Sequence, residues 1–388
     1  MKALVISGAL ASAALFLVAT HGRSNDTGLT VHEWGTFTSV ASEDGTPADW
    51  NTLGCKSDLP GFINDYGFRG FKASLSGTVR METPVLYFYS QDNLEASVKV
   101  SFPNGLITEW YPKSDYHVFK KDSRNDQMFQ LPSNLNGFST YLTNQTGVME
   151  WKSVQIQPGA TPEFPLESAP SRYYAARATD AAPLSVGDQH EKFLFYRGVA
   201  RIPVPLSARV SDDGGVIVEN TVASSMPALF LFENRHGAIG YRNAGSLESG
   251  VTSSVTLDRP VLDGSSAQLK ATLQTALIAQ GLYPKEAAAM IDTWHDSWFE
   301  EGSRLIYVLP ESVVDTMLPL EINPAPSRIA RVFVGRIELI TSETKRAVRE
   351  ALVTNDKRTL ALYRRFLEPI GKSLGETTNL SCRTADEP

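Results

Sequence analysis

The sequence predicts an α+β protein in which an antiparallel β-sandwich-like N-terminal region is followed by a mixed helical C-terminal region. Two observations support this prediction. Short β-branched and aromatic runs separated by turn residues fill residues 25–258, which is typical of antiparallel sheets. From residue 259 to 388, apolar residues recur mostly at helical spacing. We therefore expect a mainly β region with an α+β helical region packed on it.

The first 24 residues have the features of a secretory signal peptide. Lys2 supplies a positive charge, and an apolar run rich in Ala, Leu and Val follows over residues 3–19. An uncleaved anchor is the alternative, because Val18-Ala19-Thr20 fits the small-residue cleavage rule only loosely. No later run of about 18 apolar residues exists, so we expect no membrane span in the mature chain. The predicted location is periplasmic or extracellular.

The amino-acid composition limits the classes of partner that the protein is expected to bind. Lys and Arg number 36 against 43 Asp and Glu, which gives a net charge of −7. This charge argues against nucleic acid or an anionic membrane as the main partner. The chain has two cysteines, Cys55 and Cys382, and exported proteins meet an oxidising environment. We predict a disulfide between them, so any metal site must rely on histidine and carboxylate ligands.

The β region begins with the run Val31–Val40, which we expect to be a central strand. Turn residues then predict two antiparallel hairpins. One joins residues 96–102 to 106–111 through Pro103-Asn104-Gly105, and the other joins 208–211 to 216–220 through a Gly-containing turn. Further strands are predicted at 79–90, 228–233 and 251–257.

The C-terminal region opens with two predicted helices. The first spans residues 266–280 and ends near Gly281, and the second begins at Pro284 and ends at Gly302. Strands are predicted at 304–309 and 328–340, and a helical stretch from 342 to about 374. Glu300 and Glu301 sit at the C-terminal end of the second helix, where the helix dipole disfavours anions. This mismatch suggests that one of them pairs with Arg304 or with a bound group.

His32 is the first candidate site residue. It precedes Glu33, and successive side chains on a strand point to opposite faces, so the two cannot share one ion unless a bulge intervenes. Gly35 is a candidate position for a bulge or a close backbone approach. The alternative role for His32 is a buried histidine bonded within the core.

Three further residues complete a candidate metal site. Glu233 and His236 close a strand at i, i+3, although Arg235 between them could instead form a salt bridge with Glu233. His295 lies in the second helix, with Asp292 and Asp296 nearby to orient its ring. The alternative is a histidine at the rim of an aromatic-rich helix seam, because an apolar stripe at this spacing is usually core. His32, Glu233, His236 and His295 are thus predicted ligands of a divalent transition metal.

Several familiar signatures are absent. The sequence contains no P-loop, no G-x-G-x-x-G, no H-E-x-x-H and no G-x-S-x-G. Nucleotide-binding, zincin and α/β-hydrolase chemistry therefore lack their local motifs.

The runs VHEWGTFTSV (31–40), METPVLYFYS (81–90), FLFYRG (193–198) and WFEEGSRLIYVLP (298–310) resemble a group of exported bacterial proteins. This resemblance implies bacterial origin and export, and no catalytic role, fold or cofactor is carried over from it. The first functional hypothesis is an exported, soluble, non-catalytic binding or structural protein, with exposed aromatics such as Trp50 and Trp110 contacting a ligand or partner. The alternative is a metal-assisted hydrolase that uses the four residues named above.

Overall fold

The computed structural model describes residues 28–55, 58–65, 75–120, 127–129, 145–250, 253–375, 380–382 and 384. The predicted signal peptide, residues 1–24, lies outside the described residues. The fold is rich in strands, and its N-terminal strands and C-terminal helices fit the α+β class. The sandwich-like arrangement remains a prediction. No described helix is both long and apolar enough to cross a membrane.

The described strands are β1 (Thr30–Val40), β2 (Trp50–Asn51), β3 (Asn64–Asp65), β4 (Ser76–Gly77), β5 (Val79–Tyr89), β6 (Leu94–Pro103), β7 (Gly105–Tyr111), β8 (Asp115–Lys120), β9 (Gln127–Phe129), β10 (Gln145–Ile156), β11 (Leu184–Val186), β12 (Gln189–Glu191), β13 (Leu194–Ala200), β14 (Leu206–Val210), β15 (Val216–Asn220), β16 (Met226–Arg235), β17 (Ala238–Leu247), β18 (Ser254–Leu257), β19 (Gly302–Val308), β20 (Leu320–Asn323) and β21 (Arg328–Leu339). The described α-helices are α1 (Ser266–Ala279), α2 (Pro284–Trp298), α3 (Glu311–Met317), α4 (Ser342–Thr354), α5 (Lys357–Leu362) and α6 (Leu367–Ser373). The described 3₁₀-helices are η1 (Arg172–Arg177) and η2 (Arg364–Phe366).

A nine-stranded sheet in the order β17-β16-β19-β21-β1-β5-β13-β7-β3 organises the fold. Strand β1 lies at its centre, parallel to β21 and antiparallel to β5, which confirms the predicted central strand. The sheet combines strands from both sides of residue 258, because β19 and β21 from the C-terminal region lie between β16 and β1. The division at residue 258 remains a prediction about domains.

The remaining strands form smaller sheets beside it. A seven-stranded sheet contains β12-β11-β10-β6-β20 with β8 and β9 alongside, and one buried cluster joins the two large sheets, for example through Phe88 and Val100. A second buried cluster packs Trp34 against α1 and α2. A third joins Val40 and Trp50 to the C-terminal helices. The central sheet thus has α1, α2 and the C-terminal helices on one face, and the seven-stranded sheet with α3 on the other.

One predicted hairpin is wrong. The chain does turn at Asn104, whose φ is 53°, but the strands on either side join different sheets. Strand β6 pairs with β10 and β20, whereas β7 pairs with β13 and β3. Every residue of β7 is buried in that arrangement, so tertiary burial overrides the local turn signal. The second hairpin is confirmed, with Val210 paired to Val216.

The predicted helices are confirmed, with one refinement. Pro284 opens α2, and Glu286 accepts the Tyr283 backbone N–H as part of a capping box. The predicted stretch from 342 to 374 is divided into α4, α5, η2 and α6. The first break occurs at Asn355, which adopts the left-handed conformation, and Asp356 then caps α5.

Candidate functional site

A cavity of about 200 Å³ lies between the central sheet, the loop after β2 and the C-terminal helices. Its charged lining consists of four arginines and two acids: Arg80, Arg172, Arg364, Arg365, Asp58 and Glu300. These residues come from five separate parts of the chain, so the tertiary fold creates the cavity. Because four guanidinium groups face two carboxylates, the lining has an excess of positive charge.

A bulge between β1 and β5 places part of this lining on the correct face of the sheet. The register shifts between Trp34 and Thr36, at Gly35, as the sequence predicted. Before the bulge, Glu82 points to the same face as Thr38, and after it Tyr87 points to the face of Trp34. The extra residue therefore puts Arg80 and Glu82 on the helix-facing side. In an uninterrupted strand, alternation would put them on the opposite side.

Glu82 is buried and bonded to groups on two other elements, β1 and η2. Thr38 Oγ1 donates to Glu82 Oε1 at 2.8 Å, and Arg365 Nη1 donates to Oε2 at 3.4 Å. Burial would raise the pKa of Glu82, but the guanidinium groups of Arg80 and Arg365 outweigh it and hold the pKa at about 2. Glu82 is therefore an ionised counter-charge that fixes two arginines near the cavity.

Asp58 is likewise a counter-charge that fixes arginines, on the opposite wall of the cavity. Its Oδ1 accepts both terminal nitrogens of Arg197 at 3.1 Å, and its Oδ2 lies 3.1 Å from Arg172 Nε. Burial opposes ionisation, yet Arg197, Arg80 and Arg172 hold the pKa of Asp58 well below its usual range. The carboxylate therefore orients the guanidinium groups of Arg172 and Arg197.

Glu300 is held at the end of α2. Arg336 Nη2 donates to its Oε1 at 2.5 Å, and Arg365 Nε lies 3.6 Å from the same oxygen. Although burial acts in the opposite direction, these arginines lower the pKa of Glu300. The predicted partner, Arg304, instead donates to the carbonyl oxygens of Glu300 and Glu301 and forms a salt bridge with Glu338.

The charge of Arg80 is incompletely compensated by its neighbours. Burial and the neighbouring Arg197 and Arg365 lower its pKa to about 10, despite the opposing effect of Glu82. Its Nη1 donates to the Thr52 carbonyl at 3.1 Å. Its Nε is buried, lies 3.7 Å from Glu82 Oε2, and makes no hydrogen bond to any described residue. A bound anion would offset the repulsion between Arg80 and the neighbouring Arg197 and Arg365.

The structure places the predicted metal ligand His32 in a different environment. His32 is fully buried, and its Nδ1 lies 2.7 Å from Glu286 Oε2. Glu286 also accepts the Tyr89 hydroxyl at 2.8 Å and the Tyr283 N–H at 2.7 Å. Glu33 projects to the opposite face, where Arg331 Nε donates to it at 2.7 Å. Strand geometry therefore separates His32 from Glu33, as predicted.

Glu233 lies at the other end of the central sheet. It is opposite Ser303, which is opposite Leu339 on β21, whereas His32 is opposite Ala330 on the same strand. At about 3.3 Å per residue, the two positions are about 30 Å apart along β21. Its carboxylate forms salt bridges with Arg235 and Arg259, so the salt-bridge alternative from the sequence is confirmed.

The other two histidines of the predicted metal site, His236 and His295, are exposed, and each is bonded to a different partner. The His236 backbone N–H donates to Glu301 Oε2 at 2.8 Å, and His295 Nδ1 lies 2.8 Å from the Asp292 carbonyl oxygen. Within the described residues, no group of three or more His, Cys, Asp or Glu side chains could hold a metal ion. The geometry gives the predicted four-residue metal site no support.

Two other sequence predictions were tested by the structure. Trp50 and Trp110, predicted to be exposed ligand contacts, are 1% and 9% exposed, so that prediction is wrong. Trp50 packs on Phe366 and Trp110 stacks on Tyr116. The disulfide between Cys55 and Cys382 is present, with the two Cα atoms 5.2 Å apart.

Comparisons with known proteins give no family. No protein-family model matches the chain, and no curated protein matches it. Among solved structures, it is similar to the yeast delta-COP-I mu-homology domain complexed with a Dsl1 WxWxV peptide, at 8% identity and a TM-score of 0.25, covering 80% of this chain and 96% of that chain. The same yeast domain without the peptide gives 9% identity and a TM-score of 0.26, with 80% and 95% covered. Similarities at these TM-scores carry no argument about fold or function.

Proposed function

We propose that this chain is an exported, non-catalytic binding protein that takes a small anionic ligand into the arginine-lined cavity. The observation that carries the proposal is the convergence of Arg80, Arg172, Arg364 and Arg365 on a single cavity of about 200 Å³. Guanidinium groups bind carboxylates and phosphates through paired, charge-assisted hydrogen bonds. The ligand class is therefore a small molecule with a carboxylate or phosphate group.

The surrounding carboxylates favour binding because they hold the arginines in place. Asp58 fixes Arg172 and Arg197, while Glu300 bonds Arg336 and lies close to Arg365. Side chains that are already ordered lose little entropy when a ligand binds. The cavity volume also limits the ligand, because drug-sized molecules occupy pockets of about 300 to 1,000 Å³. A ligand of about the size of citrate or a small phosphate ester fits this limit.

Export is the second part of the proposal. It is supported by the predicted signal sequence at residues 1–24 and by two cysteines that are paired in the structure. The net charge of −7 would repel anions at long range, so a cationic cavity inside the protein is needed to concentrate the ligand locally.

Isothermal titration calorimetry of the purified full chain with inorganic phosphate, citrate and acetate tests the proposal. We expect saturable binding of phosphate or citrate that weakens as salt is added. Arg80→Gln removes one charge-assisted contact and should weaken binding by about tenfold or more. Arg209→Gln is the matched control, because Arg209 is exposed on β14 and does not line the cavity.

Two results would overturn the proposal. One is the absence of binding of all three anions by the folded wild-type chain. The other is equal affinity in Arg80→Gln and Arg209→Gln, with far-ultraviolet circular dichroism showing both variants folded. Arg172→Gln provides a second cavity variant if Arg80→Gln does not fold, and equal affinity of that variant and the control would likewise reject the site.

A further inference from the structure

The disulfide forms part of the wall of the arginine-lined cavity. Cys55 lines the cavity directly, three residues before Asp58. Its partner, Cys382, is 327 residues away in the sequence, and Cys382 Sγ lies 3.4 Å from the Arg364 carbonyl oxygen. The S–S bond therefore joins the wall that carries Asp58 to a segment that lies against Arg364 on the other wall.

We propose that this disulfide controls the cavity, so that its reduction by a dithiol lowers the affinity for the anionic ligand. This inference rests on the proposed function. Without the bond, the loop wall is no longer tied to the segment that lies against η2, and Asp58 loses one of the restraints on its position. Because Asp58 orients Arg172 and Arg197, both guanidinium groups then lose part of their preorganisation.

The chemistry is ordinary thiol–disulfide exchange. Cys55 is half-buried at the cavity and Cys382 is 8% exposed, so attack is expected at Cys55 Sγ. One thiolate of the dithiol attacks this sulfur, which forms a mixed disulfide and releases Cys382 as a thiolate. The second thiolate closes the dithiol into its cyclic disulfide and releases the Cys55 thiolate. Two electrons thus pass from the dithiol to the protein.

Contacts on both sides of the disulfide should confine the structural change that follows its reduction to the cavity wall. The Asn51 backbone N–H donates to Glu368 Oε2 at 2.7 Å, and Arg80 is bonded to the Thr52 carbonyl. On the other side, Leu380 is buried in the cluster that contains Trp50 and α6. These anchors hold the chain on both sides of the cavity wall in the absence of the S–S bond.

The test measures binding of inorganic phosphate and citrate to the full chain, oxidised and after dithiothreitol treatment. We expect the reduced protein to bind about fivefold or more weakly, because the arginines are less preorganised. Reoxidation should restore the affinity. The variant with Cys55→Ser and Cys382→Ser should bind weakly with or without dithiothreitol, which separates loss of the disulfide from other effects of the reductant.

The outcomes distinguish the two proposals. If the oxidised protein binds neither anion, the proposed function fails. If the oxidised protein binds and the reduced protein binds equally or more tightly, the function stands and redox control is rejected. Circular dichroism provides the remaining check, since global unfolding in dithiothreitol would show that the disulfide supports the whole fold and would overturn control of the cavity.

Discussion

Gly35 on β1 and Thr83 on β5 mark the two sides of the bulge that puts Arg80 and Glu82 on the helix-facing side of the sheet. The register between the strands shifts between Trp34 and Thr36, and Thr83 has a φ of 38°. A β-branched residue rarely adopts this left-handed conformation, and such strain persists only where the surrounding structure imposes it. The strained residue, Thr83, directly follows Glu82. The backbone distortion and the placement of Glu82 beside the cavity arginines therefore belong to one structural feature.

Gly35→Ala should destabilise the protein. The new Cβ would lie 2.7 Å from Phe333 Cε1 and 3.1 Å from the Pro84 Cα, which is closer than packed carbon atoms approach. Overpacking of this kind costs about 1 to 3 kcal/mol, because strands β1, β5 and β21 must shift. Urea unfolding followed by circular dichroism measures the change. An unchanged unfolding midpoint would show that the bulge has room for a side chain.

The sequence predicted the central elements because their signals are local. Val31–Val40, Pro284 and the apolar rows of the helices define buried strands and helix starts through period and capping alone. The pairing of β6 and β7 could not be predicted in this way. Their turn residues indicate a reversal, whereas the choice of partner strand depends on which surfaces become buried in the complete fold.

The arginine-lined cavity was not predicted because its residues have no common spacing. Arg80, Arg172 and Arg365 are far apart in the sequence, and each resembles an ordinary surface arginine when read alone. One local signal did point to the site. Glu300 is an acid at the C-terminal end of a helix, where the helix dipole disfavours it, and in the structure nearby arginines compensate for its charge.

Acid should weaken the protein partly through Glu82. Its pKa is lowered from 4.5 to about 2 in the folded chain, because nearby arginines outweigh its burial. A carboxylate with a lowered folded-state pKa contributes stability that is complete above about pH 4.5. That contribution is lost as the pH falls through the folded value near 2. Glu82→Gln should therefore be less stable than wild type at pH 7, and the difference should shrink by pH 2.5.

Urea midpoints at pH 7, 4 and 2.5 measure this effect, with Glu350→Gln as the control. Glu350 is exposed on α4, so its substitution should change the midpoint little at any of these pH values. A difference between Glu82→Gln and wild type that stays constant from pH 7 to 2.5 would mean that ionised Glu82 does not stabilise the folded state.

Removal of the Glu286 carboxylate should be the most destabilising of these substitutions. Glu286 and His32 are fully buried, and the carboxylate accepts hydrogen bonds from His32, the Tyr89 hydroxyl and the Tyr283 N–H. Glu286→Ala leaves three buried or half-buried polar groups without this acceptor, and each buried polar group left unsatisfied costs about 1 to 3 kcal/mol. Equilibrium unfolding in urea gives the free-energy difference directly.

A matched substitution separates the hydrogen bonds from the lost volume. Glu286→Gln keeps the shape of the side chain and one carbonyl acceptor, so it should cost less than Glu286→Ala. Asp292 lies on the exposed face of the same helix, so Asp292→Ala should change the free energy of unfolding by only about 0.5 kcal/mol. If Glu286→Ala were no more destabilising than Asp292→Ala, the His32–Glu286 contact would contribute nothing to holding α2 on the central sheet.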